Sequence, residues 1–170
     1  MKPSELTLSN DAPERALTTS RAETHEAVAI ALGLAHRSVR CLHRDLTVFD
    51  LGSVAAEASL HRLLLSHRSA RVQLLVDDAR WVETRAPRLR ALQRTFAHCL
   101  EIRIASADDP VGDDAFLLVD DHAVIELKPS PVARGDIWLH NKPHVQPLAA
   151  SFERRWNAGG HNLAVVPLGL

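Results

Sequence analysis

Residues 112–127 read G-D-D-A-F-L-L-V-D-D-H-A-V-I-E-L. In an extended chain, successive side chains point to opposite faces. Ala115, Leu117 and Val119 then share one face, Phe116 and Leu118 share the other, and both faces are apolar. A strand that is apolar on both sides belongs inside a sheet covered on both faces. Asp120-Asp121 supplies the turn, since aspartate side chains bond their own backbone and tolerate unusual dihedrals. Ala123 to Leu127 returns as a second strand, with Val124 and Ile125 as β-formers.

The flanking pattern alternates helix and strand. Residues 21–36 are rich in alanine and predict a helix, followed by a strand at 38–42. Ser53 is an N-cap signal for a helix carrying Ala56, Leu60, Leu63 and Leu64. A short strand follows at 71–76. Pro87 suits the first position of a further helix, with Leu89, Leu92, Phe96 and Cys99 on one face. Strands are expected at 101–105 and 136–140, separated by an acidic loop (106–112) and the hairpin. Pro147 is expected to open the last helix, with Leu148, Phe152 and Trp156 on one stripe. Gly159-Gly160 would end that helix, and 162–167 would close as a strand. The order implies a mixed β-sheet flanked by helices, an α/β fold with parallel strands first and antiparallel strands later. Residues 1–20 are polar with two prolines and are expected to be disordered; 21–170 are expected to form a single domain.

Composition excludes several classes. Hydrophobic residues make up 46% and charged residues 24%, a globular profile. The formal net charge of -1 supplies no global field for nucleic acid or an anionic membrane. No apolar run is long enough for a membrane span, and no basic segment precedes an apolar core at the N-terminus. A cytoplasmic protein is the expectation. Cys41 and Cys99 lack metal-type spacing and read as buried free thiols. There is no G-x-S-x-G, no phosphate-cradling glycine loop and no paired C-x-x-C, so neither cofactor nor metal is expected.

Four aspartates, Asp113, Asp114, Asp120 and Asp121, invite a metal reading. An extended 113–120 would hold the two pairs about 23 Å apart, too far to share an ion. H-N-K-P-H at 140–144 could grip an anion through His140 and Lys142, or a metal through His140 and His144. Ten histidines make chance clusters common, and a strand end followed by a proline-containing turn is the favoured reading of the segment. His43-Arg44-Asp45 follows the first strand, and ligands of crossover sheets bind beyond strand C-terminal ends. Arg44 could take a phosphate or carboxylate, or could pair with Asp45 or Asp50 to hold its loop.

The element order, with S-F-E-R-R-W at 151–156, resembles one half of the phospholipase D superfamily. That half runs to a hairpin carrying H-x-K-x-x-x-x-D, a glycine-serine segment, a strand, and a helix with phenylalanine and tryptophan four residues apart. Phe152 and Trp156 have that spacing. The resemblance covers roughly residues 21–170 and is nearest to uncharacterised bacterial domains of this type, some found beside GNAT acetyltransferases. If Asp120 matches the motif's aspartate, the histidine falls on Asp113 and the lysine on Ala115. Matching Asp121 instead gives Asp114 and Phe116. Only Ser130 stands near the glycine-serine segment. His140 and Lys142 form an H-x-K on a later strand, with Pro147 where the aspartate should be. The resemblance thus implies a degenerate, non-catalytic domain that binds a ligand or partner, with His43, Arg44, Ser130, His140 and Lys142 as candidate binding residues. A phosphodiesterase or nuclease with a rebuilt site is the alternative. An acetyltransferase-type neighbour, another protein or a second copy are the partners implied; nucleic acid is disfavoured by the charge.

Overall fold

The computed structural model describes residues 1–8 and 12–165. The strands are β1 (Glu14–Thr18), β2 (Ser38–Leu42), β3 (Arg71–Val76), β4 (Leu100–Ile104), β5 (Ala115–Val119), β6 (Ala123–Lys128), β7 (Arg134–Leu139) and β8 (His161–Asn162). The helices are α1 (Arg21–Gly33), α2 (Val54–Ser66), α3 (Arg80–Arg85), α4 (Pro87–Thr95) and α5 (Lys142–Trp156). All eight strands join one mixed sheet in the order β1-β7-β6-β5-β2-β3-β4-β8. β2, β3 and β4 are parallel, as helical crossovers require, and every other pairing is antiparallel.

The 112–127 hairpin forms as the pattern predicts. β5 pairs with β6, Ala115 facing Leu127 and Val119 facing Ala123, and lies between β6 and β2 with all five residues buried. Leu117 and Val119 join a core with Leu32, Leu60, Leu63 and Leu89 from α1, α2 and α4. Phe116 and Leu118 join a second core under α5, with Leu42, Leu75, Val124, Phe152 and Trp156. The Phe152 and Trp156 rings stack at 5.6 Å. No helix among the described residues is long and apolar enough to cross a membrane. Cys41 and Cys99 are free; Cys41 is fully buried, which pushes its thiol pKa well up.

Four expectations need correction. Residues 14–18, expected in a disordered segment, form β1 and pair with β7. Ala16 and Thr18 are buried, and Arg15 donates to Asp136 at 2.7 and 3.0 Å while its guanidinium lies 4.7 Å from the Trp138 ring centre. These contacts are made with residues far along the chain, so a polar composition hides them. Pro147 does not open α5. Asn141 caps the helix by accepting the His144 N–H at 3.2 Å, and Pro143 occupies the first turn. Pro147 sits inside the helix, which therefore lacks one bond to the Pro143 carbonyl. The stripe through Phe96 and Cys99 stops at Thr95, where α4 ends, and α3 precedes it unforeseen. The closing strand is only His161–Asn162; 163–165 are not strand, and residues 166 and 167 lie outside those described.

Candidate functional site

At the C-terminal end of β2 the chain turns through His43, Arg44 and Asp45. The His43 ring is buried, and its Nδ1 accepts the backbone N–H of Leu46 at 2.9 Å and of Asp45 at 3.2 Å. The same Nδ1 lies 3.1 Å from the Asp45 carboxylate, so this edge of the ring is committed to its own loop. Burial pulls the His43 pKa below its ordinary value, opposed by the nearby Asp45 carboxylate. The Asp45 carboxylate is itself taken by Thr47, at 2.8 Å from its hydroxyl and 3.1 Å from its N–H. Asp50 approaches His25 at 3.6 Å. Neither carboxylate therefore pairs with Arg44, whose side chain stays exposed.

Backbone anchoring brings the other walls here. The Arg44 carbonyl accepts the N–H groups of Asp77 and Asp78, each at 2.9 Å, locking the exit of β2 to that of β3. The Asp77 carboxylate accepts the N–H of Val111 at 2.8 Å and of Gly112 at 3.0 Å, which fixes the entry to β5. The result is a cavity of about 500 Å³ lined by His43, Arg44, Asp113, Asp114, Ala115 and the 128–133 loop, with Arg21 from the start of α1. Ser130 lies in that loop. Asp114 is matched by Arg155 at 2.6 Å. None of Arg21, Arg44, Lys128 and Asp113 joins an ion pair among the described residues. Three unpaired cations thus face one unpaired carboxylate.

The structure divides the sequence candidates between the two ends of the sheet. His43, Arg44, Ser130, Asp113 and Ala115 line the cavity. Asp120, His140 and Lys142 lie at the other end, separated by the length of β5, roughly 17 Å at 3.3 Å per residue. There Lys142 contacts Asp121 at 2.6 Å and holds its carboxyl below the usual range. His140 stacks on His122 with ring centres 5.4 Å apart, whereas the His144 Nε2 meets the Glu126 carboxylate at 3.1 Å. His140 and His144 therefore serve different partners. Among the described residues, no group of three or more His, Cys, Asp or Glu is placed to hold a metal ion. The sequence reading missed Arg21 and Lys128. Their only sequence signal is position, at a helix start and at a strand end preceding a proline.

The family described as Domain of unknown function (DUF7931) matches residues 20–164, and the chain belongs to it. No curated protein matches the chain in sequence. Among solved structures, TrmBL2, an archaeal chromatin protein whose structure shows a novel mode of DNA binding, is 11% identical with a TM-score of 0.66. The likeness covers 92% of this chain and 56% of that one. A phosphatidylserine synthase from Haemophilus influenzae Rd KW20 is 13% identical with a TM-score of 0.53, over 89% of this chain and 39% of that one. These likenesses establish a phospholipase-D-like fold, and the chain spans little more than half of either neighbour at most.

Proposed function

We propose that this member of the DUF7931 family is a non-catalytic phospholipase-D-like domain that binds the anionic group of a small ligand at the strand ends. The observation that carries the reading is the pairing of a retained cavity with altered walls. Asp113 and Ala115 face it where the resemblance calls for an attacking histidine and a cationic lysine. Asp113 repels a phosphoryl group, and Ala115 donates nothing to the charge that builds during displacement. A second copy of the chain brings the same two residues.

A site rebuilt around His43 lacks a nucleophile too. Its Nδ1 is held within the loop by two backbone donors and the Asp45 carboxylate, which leaves only Nε2 to meet a ligand. His43 is suited instead to donating a hydrogen bond to a bound anion, with Arg44, Arg21 and Lys128 supplying attraction. A cytoplasmic setting fits the two free thiols. An acetyltransferase-type neighbour or a second copy is the partner we would seek first.

The test measures binding and turnover of bis-p-nitrophenyl phosphate, with phosphatidylcholine and single-stranded DNA in parallel, with and without divalent metal. Binding that Arg44→Ala weakens, with no turnover, is the expected result. Metal-independent turnover abolished by Asp113→Ala or His43→Ala would establish an enzyme instead.

A further inference from the structure

A second cavity, about 550 Å³, opens at the opposite end of the sheet, between the floor of β2 and β3, the β5–β6 turn and Glu153 of α5. Its floor is Arg40 and Gln73, neighbours in parallel register. Arg40 stands on the α5 face of the sheet, beside Leu118 of β5 and two residues before Leu42, where the surrounding core is apolar. A guanidinium has five N–H donors. Here one Nη2 donor reaches the Asp120 carbonyl at 3.1 Å, while Nε is sealed from solvent and has no acceptor.

No ion pair among the described residues includes Arg40. The acids nearby are committed or distant. The Asp120 carboxylate is taken by three backbone amides, and Asp121 is taken by Lys142. Glu153 on the far wall is the charge Arg40 feels most, yet it lies beyond ion-pair distance. Burial disfavours the Arg40 charge and lowers its pKa. A half-buried cation without a counter-charge is costly to maintain, and with Nε sealed inside, the terminal Nη groups are the donors left to a ligand. Arg37 and Arg71 add positive charge to the same walls.

We infer that this cavity binds a small hydroxy- or amino-carboxylic acid, with its carboxylate on Arg40 and its hydroxyl or ammonium turned toward Glu153. The two oxygens of a planar carboxylate match the terminal Nη pair of the guanidinium, and Gln73 stands beside Arg40 on the floor. Glu153 repels a second carboxylate and favours a donor group. The site does not depend on the strand-end cavity.

The test is NMR titration of the full chain with L-lactate, L-glutamine, propionate and inorganic phosphate, following the Arg40 Nε–H resonance. Lactate or glutamine should shift that resonance saturably, more tightly than propionate or phosphate. Arg40→Lys keeps the charge but not the fork and should weaken binding about tenfold. Arg40→Met should abolish it, and Glu153→Gln should erase the preference over propionate. Absence of saturable binding to the wild-type chain overturns the inference, as does equal affinity in Arg40→Lys. Tighter binding of phosphate than of either acid would overturn the carboxylate assignment.

Discussion

The Asp120 carboxylate accepts the backbone N–H of Arg37 at 2.7 Å. It also accepts those of Ser38 at 2.9 Å and His36 at 3.0 Å, so the β5–β6 turn holds the approach to β2. Asp120 sits with positive φ, a conformation aspartate tolerates better than most residues. It is a clamp between two strands rather than a ligand of either cavity. Asp120→Ala leaves three amides without their charged acceptor and should cost about 3 kcal/mol in denaturant unfolding. Asp120→Asn keeps one oxygen and should cost about half as much. A loss below about 1 kcal/mol for the alanine variant would mean that water replaces the clamp.

The closing helix is held by its aromatic pair. Trp156 stacks on Phe152, and the Arg103 guanidinium lies 4.2 Å from its ring centre while Arg103 Nη1 donates to the Trp156 carbonyl at 2.5 Å. Trp156→Ala should cost about 3–5 kcal/mol, the range for deleting a buried large aromatic. The urea midpoint should fall with an unchanged slope.

His43 makes stability sensitive to acid. Its folded pKa lies below the ordinary value of 6.5, because burial disfavours the imidazolium. Between the folded and unfolded values, the unfolded chain binds more protons than the folded one, so stability rises with pH there. The stabilisation is complete above about pH 6.5 and is lost as pH falls toward the folded value. Unfolding free energy measured from pH 7.5 to pH 5 should therefore drop more steeply for the wild type than for His43→Gln. Parallel curves would remove His43 as the source.

Arg44 and Asp113 face the same cavity with opposite charges, so their variants should act in opposite directions. Arg44→Ala should weaken binding of a phosphate diester several-fold, and Asp113→Asn should strengthen it several-fold. Both effects should shrink as salt rises, because these side chains are exposed. Titration calorimetry at low and high ionic strength checks both.

Which features the sequence disclosed follows from the range of the forces involved. The hairpin is legible because burial on both faces imposes a period of two on 115–119. Ser53 is legible as a cap because its bond to the Ala56 N–H spans three residues. The start of α5 is not, because Asn141 and Pro143 carry turn chemistry and cap chemistry alike. β1 is hidden because its stability comes from Asp136 and Trp138, far along the chain. His43 and Arg44 are legible from the ligand habit of crossover sheets, whereas Ser130 enters only through the family resemblance. The removal of His140 and Lys142 from that group follows from strand direction: β7 runs opposite to β2, so its exit lies at the other end of the sheet. Arg40 leaves no local trace, since an arginine inside S-V-R-C-L reads like any half-exposed strand residue.

The pairing of β1 with β7 bears on the order in which the molecule assembles. Arg15 meets Asp136 across 121 positions of chain. Closing a loop of that length costs about 4 kcal/mol of chain entropy, whereas each parallel crossover from β2 to β4 closes a much shorter one. The parallel half can therefore condense first, the 115–128 hairpin can dock on β2, and the N-terminal strand adds last, at an edge that needs the other strands in place. The same edge is the first to be released: backbone amides of β1 should exchange with solvent through local opening while those of β5 wait for global unfolding.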